Sequence, residues 1–340
     1  MNKKLIALCA ALSLGGFAHA QSSVQLAGLV DAFAGSKRMS GDAARQAVVG
    51  SGGMTTSWFG MTGSEDLGGG LKANFALTSF FQTDTGVQGR FTGDTLFSRD
   101  ANVSLSGGFG AVMLGRGMAP NFLPTILFNP YGDSFTFSPL VLHANVPLFN
   151  GTGWGSTTPS DTGWSNQIKY TTPNMGGLTV NLQYQFGEVA TATSSGKKNV
   201  GVNALYFNGP LALTGFYERA EVSNPTVSAL ASTKDDWMLG GSYDAGVVKG
   251  FVTYGEAEVK TTRVTGKTTT LGASVPMGGG KFLAAWANTK VTGGAKRDTV
   301  SLGYDYSFSK RTDVYAIVMR DKITNFSSGT SYGAGIRHRF

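Results

Sequence analysis

Residues 57–81 read SWFGMTGSEDLGGGLKANFALTSFF. Phe59 and Met61 alternate with Trp58, Gly60 and Thr62 until the pattern breaks at SEDLGGG (64–70). It resumes with Leu71, Ala73, Phe75 and Leu77 on one face and Lys72, Asn74, Ala76 and Thr78 on the other. A side-chain period of two on both sides of a Gly-rich break predicts a β-hairpin.

The same period recurs along the chain. In TVNLQYQF (179–186), Val180, Leu182, Tyr184 and Phe186 alternate with polar residues, and SLGYDYSF (301–308) repeats the pattern. Helical stripes do not persist, because glycine, 49 of 340 residues, interrupts them. Sixteen candidate strands emerge, of roughly 8 to 13 residues each. Short turns at 64–70, 107–110, 172–177, 208–210, 244–246, 276–280 and 307–311 alternate with longer polar connections near 35–56, 83–95, 117–163, 188–198, 222–235, 259–266, 290–297 and 322–331. Strict alternation of short turns and long loops predicts an all-β fold, a 16-stranded antiparallel transmembrane β-barrel.

The ends and the composition agree. MNKKLIALCAALSLGGFAHA (1–20) has a basic start, a short apolar run and an A-x-A site, which predicts a secretory signal peptide followed by one barrel domain over 21–340. An exported chain crossing lipid without long apolar helices must satisfy its backbone in a closed sheet. A secreted β-sandwich also has alternating strands. Sixteen strands of spanning length and no disulfide favour the barrel, since Cys9, the only cysteine, falls in the leader. Without Lys3 and Lys4 the formal charge drops from +7 to +5, with no basic run, so nucleic acid is not an expected partner. No cofactor or metal site is expected. The chain stops inside a strand, SYGAGIRHRF, with Tyr332, Ile336 and Phe340 on one face and Arg337 and Arg339 on the other.

Several segments together resemble the Gram-negative trimeric porins of the beta-proteobacterial general type: SSVQLAGLVDAF, GSEDLGGGLKANF, FSRDANVSLSGGFGAVMLGR, NQIKYTTPNMGGLTVNLQYQFGE and YGAGIRHRF. The resemblance covers the chain after residue 20. It implies a homotrimer in the outer membrane, surrounded by lipid and lipopolysaccharide, that passes small hydrophilic solutes by passive diffusion. It also implies a long third loop folded into the lumen. The terminal strand, with Tyr332, Ile336 and Phe340, is similar to the signal read by the barrel assembly machinery. In such porins arginines on the wall face carboxylates on the third loop, creating a transverse field.

Candidate site residues follow from that resemblance. Asp133 is the only acid in the loop stretch GMAPNFLPTILFNPYGDSFTFSPLVLHANVPLFNG; it reads either as a turn former or as the acid of the constriction. Arg99 matches the family arginine of the fourth strand; strict alternation with Ala101, Val103 and Leu105 turns it outward, but in the family these early strands form the trimer wall with the third loop over their inner face, so the resemblance implies that Arg99 faces inward. Arg116 shares the phase of Val112 and Leu114 and is expected at a trimer contact. The chain departs from the family where S-R-F-G-x-K-G is usual and SWFGMTG stands: Trp58 replaces an arginine, so it either lines the constriction or packs the third loop. Another usual arginine is absent before Asn166, where Gly163 or Trp164 stands. Lys72 and Lys169, inward by phase, supply positive potential. These departures predict a constriction poorer in arginine and weakly charge-selective. A channel specific for a neutral or aromatic solute is the alternative. An enzyme is not expected, since His143 and His338 have no nucleophile motif beside them.

Overall fold

A computed structural model of the 340-residue chain describes residues 23–91, 93–144, 162–188, 198–224, 227–260 and 263–340. The leader expected over 1–20 and residues 145–161 of the third loop lie outside the described residues. The strands are β1 (Ser23–Lys37), β2 (Gln46–Ser51), β3 (Trp58–Gly68), β4 (Leu71–Phe80), β5 (Asp100–Gly107), β6 (Gly110–Met118), β7 (Gly163–Thr171), β8 (Leu178–Gln185), β9 (Asn199–Asn208), β10 (Leu211–Asn224), β11 (Val227–Asp244), β12 (Lys249–Val259), β13 (Val264–Met277), β14 (Gly280–Val291), β15 (Lys296–Ser307), β16 (Thr312–Ile323) and β17 (Gly329–Arg339). Two short helices, α1 (Phe122–Leu127) and α2 (Pro139–Ala144), interrupt them between β6 and β7.

From β3 to β17 each strand pairs antiparallel with the next, and β1 pairs with β17 from Leu29↔Arg339 to Ser36↔Tyr332, closing the sheet. The terminal residue completes the seam, since Phe340 and Gly28 exchange both backbone hydrogen bonds at 3.1 and 3.2 Å. Seventeen segments make sixteen staves, because β2 and β3 share one. β1 pairs with β2 through Ala32–Lys37 and with β3 through Ser23–Leu29. Residues 52–57 bulge out of that stave towards the lumen.

Alternation sorts the side chains as a lipid-embedded barrel requires. Phe59, Met61, Val103, Leu114, Leu182, Leu239, Leu271, Leu302 and Val318 stand exposed on the outer wall. Asp31, Thr78, Gln183, Glu218, Thr299 and Asp321 point the other way and are buried. The hairpin of residues 57–81 follows its sequence reading, with Trp58↔Phe80 and Met61↔Leu77 paired across it and Gly68, Gly69 and Gly70 all at positive φ in the turn.

Three expected loops are corrected. β10 and β11 run to Asn224 and from Val227, so most of 222–235 is strand. Only residues 260–263 and 292–295 separate β12 from β13 and β14 from β15, where longer connections were expected. The Thr- and Val-rich edges of these segments extend the ladder, since such residues suit pleated structure whatever their polarity.

Candidate functional site: the lumen between β6 and β7

Residues 119–144 lie against lumen-facing side chains around the barrel. Their prolines sit over glycines of the wall: a Cβ on Gly201 of β9 would come 2.5 Å from Pro120 Cγ, and one on Gly272 of β13 would come 2.6 Å from Pro130 Cδ. Glycine is required there by close approach, not by backbone angle. Apolar residues of the segment join the wall in one buried cluster, Tyr131 and Phe137 with Phe33, Leu283, Tyr315 and Ile317. The Tyr131 hydroxyl donates to the Leu283 carbonyl at 3.0 Å, and Ser301 Oγ donates to the Phe137 carbonyl at 2.7 Å.

The bulge of residues 52–57 is organised by Asp31 on β1. Its carboxylate accepts the backbone N–H groups of Gly53, Met54 and Thr55 at 2.8–3.1 Å and the Tyr315 hydroxyl at 2.5 Å. Ser134 and Thr136 donate to the Gly53 and Gly52 carbonyls at 2.6 and 3.0 Å, docking the segment on the bulge. At its far end His143 is fixed between Thr289 and Thr299, each ring nitrogen 2.8 Å from a hydroxyl. Thr299 donates onward to Asp321 at 2.6 Å, so Nε2–H must donate to Thr299 and Nδ1 accepts from Thr289. Burial, with the Arg297 charge nearby, holds the imidazole well below its ordinary 6.5, so it is neutral.

Trp58, Arg99 and Asp133 come together. They line one cavity of about 160 Å³ with Thr55, Phe80 and Phe122. The Arg99 guanidinium lies 4.1 Å from the Trp58 ring centroid, a cation–π stack, and its Nη1 is 2.8 Å from Asp100 Oδ2. Strict alternation turned Arg99 outward, but β5 begins only at Asp100; one residue upstream the pleat no longer dictates direction. Asp133 is half-buried. Burial in the lumen pushes its carboxyl up to about 6, against the Thr55 hydroxyl and the Arg337 and Arg99 charges. Thr55 itself accepts from Arg337 Nη1 at 2.8 Å.

Other expected residues are placed elsewhere. Trp164 is 2% exposed and packs on Ala119 and Ala220, which supports the start of the segment and keeps the indole off the open wall. A bulge between Gly115 and Gly117 and a positive φ at Asn166 break the phase there. Lys72 pairs across from Asp66 near the turn, eight residues and roughly 27 Å of strand below Phe80, at the mouth of the lumen. Lys169 faces inward opposite Met113 and Gln183. Arg116, on the outward phase, donates to the Ser98 and Gly163 carbonyls and Ser165 Oγ at 2.7–3.3 Å, bracing β6 to its neighbours.

Charge pairs on the wall were missed by sequence reasoning. Arg337 pairs with Asp313 at 3.0 Å and lies 3.5 Å from Asp305, and Arg297 pairs with Asp321 at 2.9 Å. Lys234 lies 2.6 Å from Asp236 and 3.5 Å from Glu218, which also accepts from Asn121 of the segment at 3.1 Å. Their signal was the inward phase: Arg337 alternates with Ile336, and Glu218 with Tyr217.

Comparisons with known proteins add four findings. The family described as Gram-negative porin matches residues 5–325. Outer membrane porin protein 32 of Delftia acidovorans is 36% identical over 334 residues, 93% of this chain and 88% of that protein. Among solved structures, the anion-selective porin from Comamonas acidovorans superposes with a TM-score of 0.77 at 28% identity, covering 94% of this chain and all of the other. The trimer form of Vibrio cholerae OmpT superposes with a TM-score of 0.66 at 17% identity, covering 94% and 99%, a likeness of fold.

Proposed function

Because the chain belongs to the Gram-negative porin family, and is therefore an outer-membrane channel, we propose that it passes small hydrophilic solutes and ions by passive diffusion. The constriction in this reading is formed by Trp58, Arg99 and Asp133, with weak charge selectivity. One observation carries it: the lumen-facing arginines are answered by carboxylates at close range, Arg99 by Asp100, Arg337 by Asp313 and Arg297 by Asp321. Paired charges produce a short-ranged field, so little transverse potential is left for a passing ion. Lys169 and Lys72 add positive potential along the path.

The reading extends to assembly. Export by the 1–20 leader, a homotrimer with Arg116 bracing a subunit contact, and recognition of Tyr332, Ile336 and Phe340 by the barrel assembly machinery belong to the proposal. The trimer form of the Vibrio cholerae neighbour supports the trimer as a matter of fold.

Reversal potentials of the purified protein in planar bilayers under a salt gradient test the selectivity. The expected value is near zero, and Arg99→Ala moves it little. Strong anion selectivity in the wild type, abolished by Arg99→Ala, would sink the weakened-field reading. The aromatic lining of the 160 Å³ cavity, Trp58, Phe80 and Phe122, favours a second reading, a channel for a neutral or aromatic solute. Saturable, solute-dependent block of the current, lost in Trp58→Ala, distinguishes it.

A further inference from the structure

Among the described strands, β2 alone is paired on one side only. It runs along β1, and no strand lies on its other side, because β4 stops at Phe80, opposite Trp58. Beyond Phe80 the chain folds back on itself: Gly89 N–H donates to the Phe80 carbonyl at 2.7 Å and Gln82 N–H to the Val87 carbonyl at 2.8 Å. The ladder fixes which groups of β2 are left over. Phe340 and Gly28 exchange their backbone hydrogen bonds, so even-numbered residues of β1 bond to β17 and odd-numbered ones to its other neighbour. Gly52 N–H accordingly donates to the Asp31 carbonyl at 3.0 Å. Gln46, Val48 and Gly50 therefore bond to β1, and Ala47, Val49 and Ser51 turn their backbone N–H and C=O groups to the open edge. Among the described residues no hydrogen bond reaches those groups. Such an edge is a template for a further strand unless a charge or a proline blunts it, and QAVVGS (46–51) has neither.

A groove of about 430 Å³ lies beside this edge, within the size range of small-ligand sites. Val48 and Gly50, on the lumen phase of Phe33, form its wall side, and Phe135 and Thr136 of the segment close it from within. Its two ends carry opposite charges. Lys37 stands opposite Gln46 at one end. Asp84 stands at the other, next to Thr83, whose hydroxyl is 3.3 Å from Ser51 Oγ. Both are exposed, and among the described residues neither makes an ion pair. A strand laid antiparallel on β2 has its amino end at Ser51 and its carboxyl end at Gln46. Its ammonium then meets Asp84 and its carboxylate meets Lys37.

We propose that the open edge of β2 is a capture site for short zwitterionic peptides, about three to five residues long, which add to it as an extra antiparallel strand with their termini on Asp84 and Lys37. The first residue of the peptide pairs with Ser51, the third with Val49 and the fifth with Ala47. Backbone groups supply the bonds, so the site selects peptides as a class and tolerates varied side chains. The proposal rests on the outer-membrane channel reading and names one class of small hydrophilic solute. A captured peptide lies across the bulge of residues 52–57 from the cavity of Trp58, Arg99 and Asp133.

The test is block of single-channel current by trialanine and pentaalanine, added to the purified protein in planar bilayers. Wild type shows saturable block, tighter for pentaalanine. N-methylation of the third residue of pentaalanine removes the donor to the Val49 carbonyl and weakens block about tenfold. Val49→Pro deletes the matching N–H on the protein and weakens block to a similar degree, while the ladder to β1 stays intact because that N–H faces the open edge. Lys37→Gln lowers affinity by up to about fivefold and leaves pentaalanine amide, which has no carboxylate, unaffected. Absence of saturable block in wild type, equal block by pentaalanine and its N-methylated form, or equal block of wild type and Val49→Pro overturns the proposal. Dissociation of the oligomer by Val49→Pro on native gels also overturns it, assigning the edge to a second copy of the chain. Conductance in salt alone, expected at the wild-type value in both variants, separates the two readings. Its absence in wild type fails the channel, whereas normal conductance without peptide block fails this site alone.

Discussion

At Asp133 the physics of one carboxyl becomes a property of a channel. Its proton is held up to about 6, so the group is anionic at neutral pH and neutral in mild acid. The sign follows: folding carries a penalty for the charged form above about 6, and that penalty fades as the pH falls towards the ordinary carboxylate range. Lowering the pH from about 7 to about 5 is expected to shift the reversal potential towards anions, and Asp133→Asn to abolish the shift. Trp58 was legible in the sequence because β3 is regular and parity decides direction. Arg99 was turned inward by the resemblance and outward by parity, and parity fails there because it ends where the strand does. Trp164 was aligned with a usual arginine of the constriction, and its burial against Ala119 and Ala220 is a tertiary fact that no alignment shows.

At the scale of elements, α2 is held by a chain of hydroxyls and one imidazole. His143→Ala removes both bonds to Thr289 and Thr299, at a cost of about 1–3 kcal/mol in docking, and is expected to raise single-channel conductance and current noise. A pH dependence accompanies it. Because the imidazole is depressed below its ordinary 6.5, its contribution is complete above that pH and is lost as the pH falls towards the depressed value. Heat-modifiable gel mobility measured across pH 5 to 8, about the range in which an ordinary histidine titrates, should show weakening on the acid side, and His143→Gln should flatten it. The segment's apolar, Pro-rich character was readable, whereas its seats at Gly201 and Gly272 were not, because a wall glycine has no meaning until something approaches it. The loops at 222–235, 259–266 and 290–297 were overestimated for a related reason: polar residues end a buried strand but not one whose faces meet water.

For the whole molecule, the alternation of turns and loops disclosed a closed barrel before any contact was known. Ion pairs such as Arg297–Asp321 escaped, since partners 24 residues apart become neighbours only through register. Asp321→Ala strands the Arg297 guanidinium, 5% exposed, and should cost about 3–5 kcal/mol, read from the urea midpoint of the refolded protein. Loss of Phe340 removes the backbone exchange with Gly28 at the seam, and the expected outcome is slower insertion into lipid vesicles, followed by gel mobility. The Asp31 carboxylate has a further consequence, one of timing. It belongs to the first strand, it holds the bulge on which Ser134 and Thr136 rest, and it needs the Tyr315 hydroxyl from the penultimate strand. The last hydrogen bond of that carboxylate therefore forms only when the two ends of the polypeptide meet. A nascent cylinder still lacking its last two staves has the bulge but not the tyrosine that completes its anchor.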